Sequence, residues 1–149
     1  SARLAFEWDN CASLDSGNKG AFVVYIVESS KSFYEATFDL EPVVQRLGFV
    51  ILNVHDLSET LRRKDIGLDD ECRIFEICNY RLLEKLLAID MRLSLTLPWR
   101  ISVFTDNGAT KIGLMRPELL LPLLGAHPEL ERLNRELEEK MVQIVDDTR

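Results

Sequence analysis

The chain of 149 residues is 46% hydrophobic and 29% charged, with seven Gly and five Pro; this balance excludes collagen-like, low-complexity and disordered classes and suits one globular domain. Eighteen Lys plus Arg against 25 Asp plus Glu give a formal net charge of −7, so the overall field opposes nucleic acid and anionic membrane as partners. No apolar run approaches the roughly 18–20 residues of a membrane span, and no charged-then-apolar leader opens the chain.

Residues 1–20 mix Trp8 with Asp9, Asn10, Asp15, Gly17, Asn18 and Gly20 and show no periodicity. They read as an arm or linker ahead of a single domain over 21–149, either docked through Phe6 and Trp8 on the body or a neighbouring chain, or foreign to the domain. From Ala21 to Val27 the run is short, apolar and β-branched, which predicts a strand. Ser32 and Glu35 form a capping box, and Phe33, Ala36, Leu40, Val43, Val44 and Leu47 recur at helical spacing until Gly48. Pro42 is expected to kink this helix or start a new turn.

A second strand is expected over Phe49 to Val54. Asp56 with Glu59 then caps a short helix whose last turn carries Arg62, Arg63 and Lys64, the charge that suits a helix C-terminus. Cys72 to Ile77 reads as a third strand, and Asn79 as the N-cap of a helix burying Leu82, Leu83, Leu86 and Leu87. Met91, Leu93, Leu95 and Leu97 alternate with polar residues, which predicts an extended edge segment ended by Pro98. Trp99 to Thr105 and Ala109 to Met115 flank Asp106-Asn107-Gly108, the strongest hairpin signal in the chain.

Pro117 suits the first position of a short Leu-rich helix ended by Gly125, and Pro128 that of the amphipathic final helix. The final stripe of Leu130, Leu133, Leu137, Met141 and Ile144 is narrow, and docks either on the sheet or across a dimer.

The candidate chemistry is sparse. Cys11, Cys72 and Cys78 are odd in number and contain no Cys-x-x-Cys, so they cannot all pair within one chain and form no metal-finger spacing. A reducing, cytoplasmic compartment is expected, with export after leader removal as the alternative; neither a metal nor another cofactor is expected. Cys78 ends a strand just before a helix N-cap, where the helix end can lower a thiol pKa; its other reading is a small buried hydrophobe. His55, after a strand, can serve as its base if the two strand ends meet, and otherwise is a surface or capping histidine. His127 reads as loop. Arg100 beside Trp99, with Arg73 and the Arg62-Arg63-Lys64 cluster, can receive a small anion while the indole walls an apolar ligand; the alternative is solvated strand and helix-end charge, with Arg100 paired to Glu76. There is no Gly-x-Gly-x-x-Gly, P-loop or Gly-x-Ser-x-Gly.

Two blocks carry a family resemblance: Cys72-Arg73-Ile74-Phe75-Glu76-Ile77-Cys78-Asn79, and Leu97-Pro98-Trp99-Arg100-Ile101-Ser102-Val103-Phe104 with the Asp106-Asn107-Gly108 hairpin. They resemble the family catalogued as domain of unknown function 302, over about residues 22 to 145. The family pattern has Pro where this chain has Tyr80 and a second Cys where it has Trp99, so a dithiol or two-Cys metal role does not carry over. The resemblance implies an α+β fold: two layers, with a mainly antiparallel sheet backed by helices, reminiscent of TATA-binding-protein topology. It also implies homodimerisation, and it implies no reaction.

The function expected from these readings is a homodimeric, non-enzymatic binding or interaction protein. Its pocket for a small anionic or apolar ligand would lie near the strand ends carrying His55, Cys78 and Arg100, with Trp99, Asn79 and Tyr80 contributing. The alternatives are a single-thiol sulfur-transfer or redox protein using Cys78, and a purely structural dimerisation module using the final helix.

Overall fold

The computed structural model describes residues 23–117, 125 and 127–149. Five strands form one antiparallel sheet: β1 (Val24–Ser29), β2 (Val50–Asp56), β3 (Cys72–Cys78), β4 (Trp99–Asp106) and β5 (Ala109–Met115), in the order β1-β5-β4-β3-β2. Strands β2 to β5 follow one another as a meander, whereas β1 and β2 lie on opposite edges. The helix α1 (Phe33–Arg46) joins those edges. Its 14 residues span about 21 Å, close to the roughly 19 Å width of four inter-strand gaps, so one helix suffices to cross the sheet.

Local chemistry sets most boundaries. The Ser32 hydroxyl accepts from the Glu35 N–H at 3.2 Å, and α1 continues past the exposed Pro42 to end before Gly48 at φ +86°. Asn107 and Gly108 both have positive φ between paired Asp106 and Ala109, the backbone a two-residue hairpin of matching twist requires. Three further α-helices follow among the described residues: α2 (Leu57–Arg63), α3 (Tyr80–Ile89) and α4 (Pro128–Thr148). His127 lies in the loop just ahead of α4, as expected, and caps that helix: its Nδ1 accepts from the Glu129 N–H at 3.1 Å.

Met91–Thr96 corrects the expectation of an extended edge segment, because it is a 3-10 helix. Asp90 caps it by accepting from the Arg92 N–H, and of its alternating apolar residues Leu93 is buried while Leu95 is 80% exposed. The alternation therefore marks no sheet face. The arm of residues 1–20 and the Leu-rich segment after Pro117 lie outside the described residues.

The core fills one side of the sheet. Tyr25 and Val27 of β1, Phe75 and Ile77 of β3, Ile101 and Val103 of β4 and Ile112 of β5 meet the buried stripes of α1 and α4. All five members of the α4 stripe are buried within this one chain, so the final helix docks on its own fold. No described helix is long and apolar enough to cross a membrane.

Asp56 gathers the junction of β2, α2 and β3. Its carboxylate accepts from the Glu59 N–H at 3.0 Å, from Arg73 Nε at 2.9 Å and from the Ser58 hydroxyl at 3.1 Å. Burial opposes the charge, but those donors together hold the carboxyl below its ordinary value. A depressed folded pKa gives stability that is present above the unfolded value of about 3.9 and is lost as pH falls through the folded one. Asp56→Ala is expected to lower stability by about 1 kcal/mol at pH 7, and the gap to the parent protein should close below about pH 4 in urea titrations.

Candidate functional site

With one face of the sheet under helices, the chemistry-bearing side chains lie mostly on the other. Strand register arranges them in rows. Ile26, Gly113, Ser102, Ile74 and His55 are successive cross-strand partners from β1 to β2. In the neighbouring rows, Val24 pairs with Met115, Arg100 with Glu76, and Glu76 with Asn53; on the other side Glu28 pairs with Lys111 and Lys111 with Phe104, which pairs with Cys72.

Arg100 is the distinctive member. It is exposed, and its side chain makes no hydrogen bond or ion pair to another described residue. Glu76, its opposite number, is held instead by His55, with Nε2 and Oε1 2.6 Å apart. The Arg100–Glu76 pairing weighed from the sequence is thus absent although the register brings the two residues together. The other cations on or beside the sheet carry acid partners, Arg73 on Asp56, Lys111 on Asp106 and Arg116 on Glu138, whereas Lys64, Lys85, Arg135 and Lys140, on or at the ends of helices, have none among the described residues.

Arg100 also stands where two concavities meet. A cavity of about 150 Å3 lies at the sheet end between Pro98, Trp99 and Arg100 at the start of β4, Met115 and Pro117 at the end of β5, and Met141 of α4. A groove of about 370 Å3 runs over the open sheet face past Val24, Ile26, Ile74, Ser102 and Phe104, and shares Arg100 and Met115 with the cavity. Gly113 lets the Ile26 side chain of β1 pack over it at the groove edge: a Cβ there would come within 2.7 Å of Ile26 Cγ1 and 3.1 Å of the Tyr25 carbonyl oxygen. Trp99 is buried and packs edge-on to Phe49 with ring centroids 6.3 Å apart, so it forms a fixed apolar wall.

The other expected site residues are placed differently. Asn79 uses its amide structurally, accepting from the Leu82 N–H at 3.0 Å and donating to the Gly48 carbonyl at 3.1 Å. Tyr80 is exposed on α3 and lines neither concavity. His55 pairs with Ile74 and Cys78 with Val50, so the two residues are about 13 Å apart along the ladder. Cys78 does not have His55 beside it.

Cys78 is 4% exposed, and burial pushes its thiol up. Burial raises Cys72 as well; a hydrogen bond with Ser102 opposes this, and the Asp56 charge adds to the rise. Alkylation of both thiols should be at least about tenfold slower than for an unstructured cysteine at pH 7.5, and should keep rising beyond about pH 8.5. Peptide mapping after timed alkylation checks this, and a rate plateau below pH 8 at Cys78 would contradict it. Among the described residues no group of three or more His, Cys, Asp or Glu could hold a metal ion.

Sequence reasoning missed Met115, Met141, Ser102 and Gly113. Strand alternation carries a signal for Ser102 and Gly113, whereas Met141 enters the site only through the docking of α4. No curated protein matches the chain. A solved structure, described as uncharacterized conserved protein DUF302 from Bacillus stearothermophilus, is similar with a TM-score of 0.81 and 26% identity, covering 87% of this chain and all of that one. The sequence model of the family described as Domain of unknown function DUF302 matches residues 25–148, and the chain belongs to that family.

Proposed function

We propose that the protein is a small homodimeric binding protein, not an enzyme, and that its ligand site is the junction of cavity and groove at Arg100. The observation that carries this reading is the Arg100 guanidinium, which has no acid partner among the described residues and sits beside two apolar concavities. A guanidinium offers a planar pair of donors to a carboxylate or similar anion, while Trp99 and the open sheet face offer apolar area. Dimerisation rests on the family resemblance and on the edge strand β2, whose Leu52 and Val54 are exposed. A reducing, cytoplasmic setting suits the two free cysteines described, with export as the alternative.

The rival reading, a sulfur-transfer or redox protein using Cys78, needs a thiolate. The burial of Cys78 and its distance from His55 weigh against it. Native mass spectrometry of untreated protein, followed by the intact denatured mass, tests both. A dimer that releases a small noncovalent anion on denaturation supports the binding reading. An adduct on Cys78 that is removed by reductant moves the assignment to the thiol.

A further inference from the structure

We infer that the ligand is an amphipathic monocarboxylate of medium chain length, its head on Arg100 and its apolar chain lying along the open sheet groove. This rests on the binding site proposed above.

The head carries one charge because, among the described residues on or beside the open sheet face, Arg100 is the cation without an acid partner. Arg73 and Arg116 are engaged by Asp56 and Glu138, and Lys111 lies 3.4 Å from Asp106. Glu76, directly across from Arg100, would repel a second negative charge on the same head. The chain −7 overall adds no general attraction for polyanions. A planar carboxylate matches a single guanidinium bidentately.

The tail follows from the shape of the groove. From Arg100 to Phe104 the open face runs four residues along β4, about 13 Å, and Ile26, Ile74 and Phe104 line it. Ser102, at its middle, is small enough to leave a lane for an unbranched chain beside Ile26, which lies over Gly113 opposite it. The cavity beside Trp99 is less than half as large, so the groove takes the tail.

The test is calorimetric titration of the full chain with hexanoate, octanoate and decanoate below micelle formation, with octanol and octylammonium as head-group controls. Octanoate should bind about tenfold more tightly than octanol, with octylammonium weakest. Affinity should rise by about fourfold per added methylene, the equivalent of ~0.8 kcal/mol per buried CH2. Arg100→Gln should bring octanoate down to octanol. Ser102→Trp, on the open face, should fill the groove and abolish the chain-length dependence while leaving the fold intact.

If octanol and octylammonium match octanoate, or chain length has no effect, the monocarboxylate inference is overturned while the Arg100 site still binds ligand. If octanoate binds only as the dimer dissociates in parallel sedimentation runs, the groove belongs to a second copy and the inference is likewise overturned. If none of the five compounds binds, the site reading falls with it.

Discussion

Replacing Arg116 by Met should destabilise the protein by about 3–5 kcal/mol, lowering Tm by on the order of 10 °C. Arg116 and Glu138 are each 6% exposed, and Arg116 Nε donates to Glu138 Oε1 at 2.7 Å. The truncated pair leaves a buried carboxylate whose partner among the described residues is gone, which is the expensive half of a buried ion pair. The location matters for the site. Arg116 lies between Met115 and Pro117, and Glu138 precedes Met141 by one turn of α4, so the pair pins the end of β5 to the helix that closes the cavity. Arg116→Met should therefore weaken octanoate binding as well as the fold. The double variant with Glu138→Leu removes both charges and should regain much of the lost stability, as judged by guanidinium melts.

Leu137→Ala is the second large effect, at about 2–5 kcal/mol. Leu137 is 0% exposed at the centre of the α4 stripe, so its truncation opens a void inside the protomer. The drop in Tm should be the same at low and high protein concentration. A loss that shrinks as concentration rises would place the stripe across a dimer, where mass action restores the contact. Such a result would favour the structural dimerisation module over the binding protein.

Features that depend on a few neighbouring residues were legible in the sequence. Ser32, Asp56 and Asn79 each accept the N–H that their capping patterns imply, and Asn107-Gly108 makes the tight hairpin. The stripe of α4 was legible too, but its destination was not: helical periodicity shows that one face is buried, and only tertiary packing decides against what. The alternation of Met91, Leu93, Leu95 and Leu97 misled because period two marks a strand only where one face is covered. In the candidate site, Arg100 and Trp99 could be picked out as residues. The isolation of Arg100 could not, since it depends on Glu76 being engaged from β2, across a ladder whose register shifts between Ile51 and Asn53. The same ladder separates His55 from Cys78, which spacing alone left open.

The most direct measurement is backbone amide shift mapping of the full chain during titration with octanoate. The expected result is one contiguous set of shifts centred on Arg100, Ser102, Gly113 and Met115, saturating together and lost in Arg100→Gln. Shifts confined to the β2 edge, or none at all at saturating octanoate, would contradict a ligand site at Arg100.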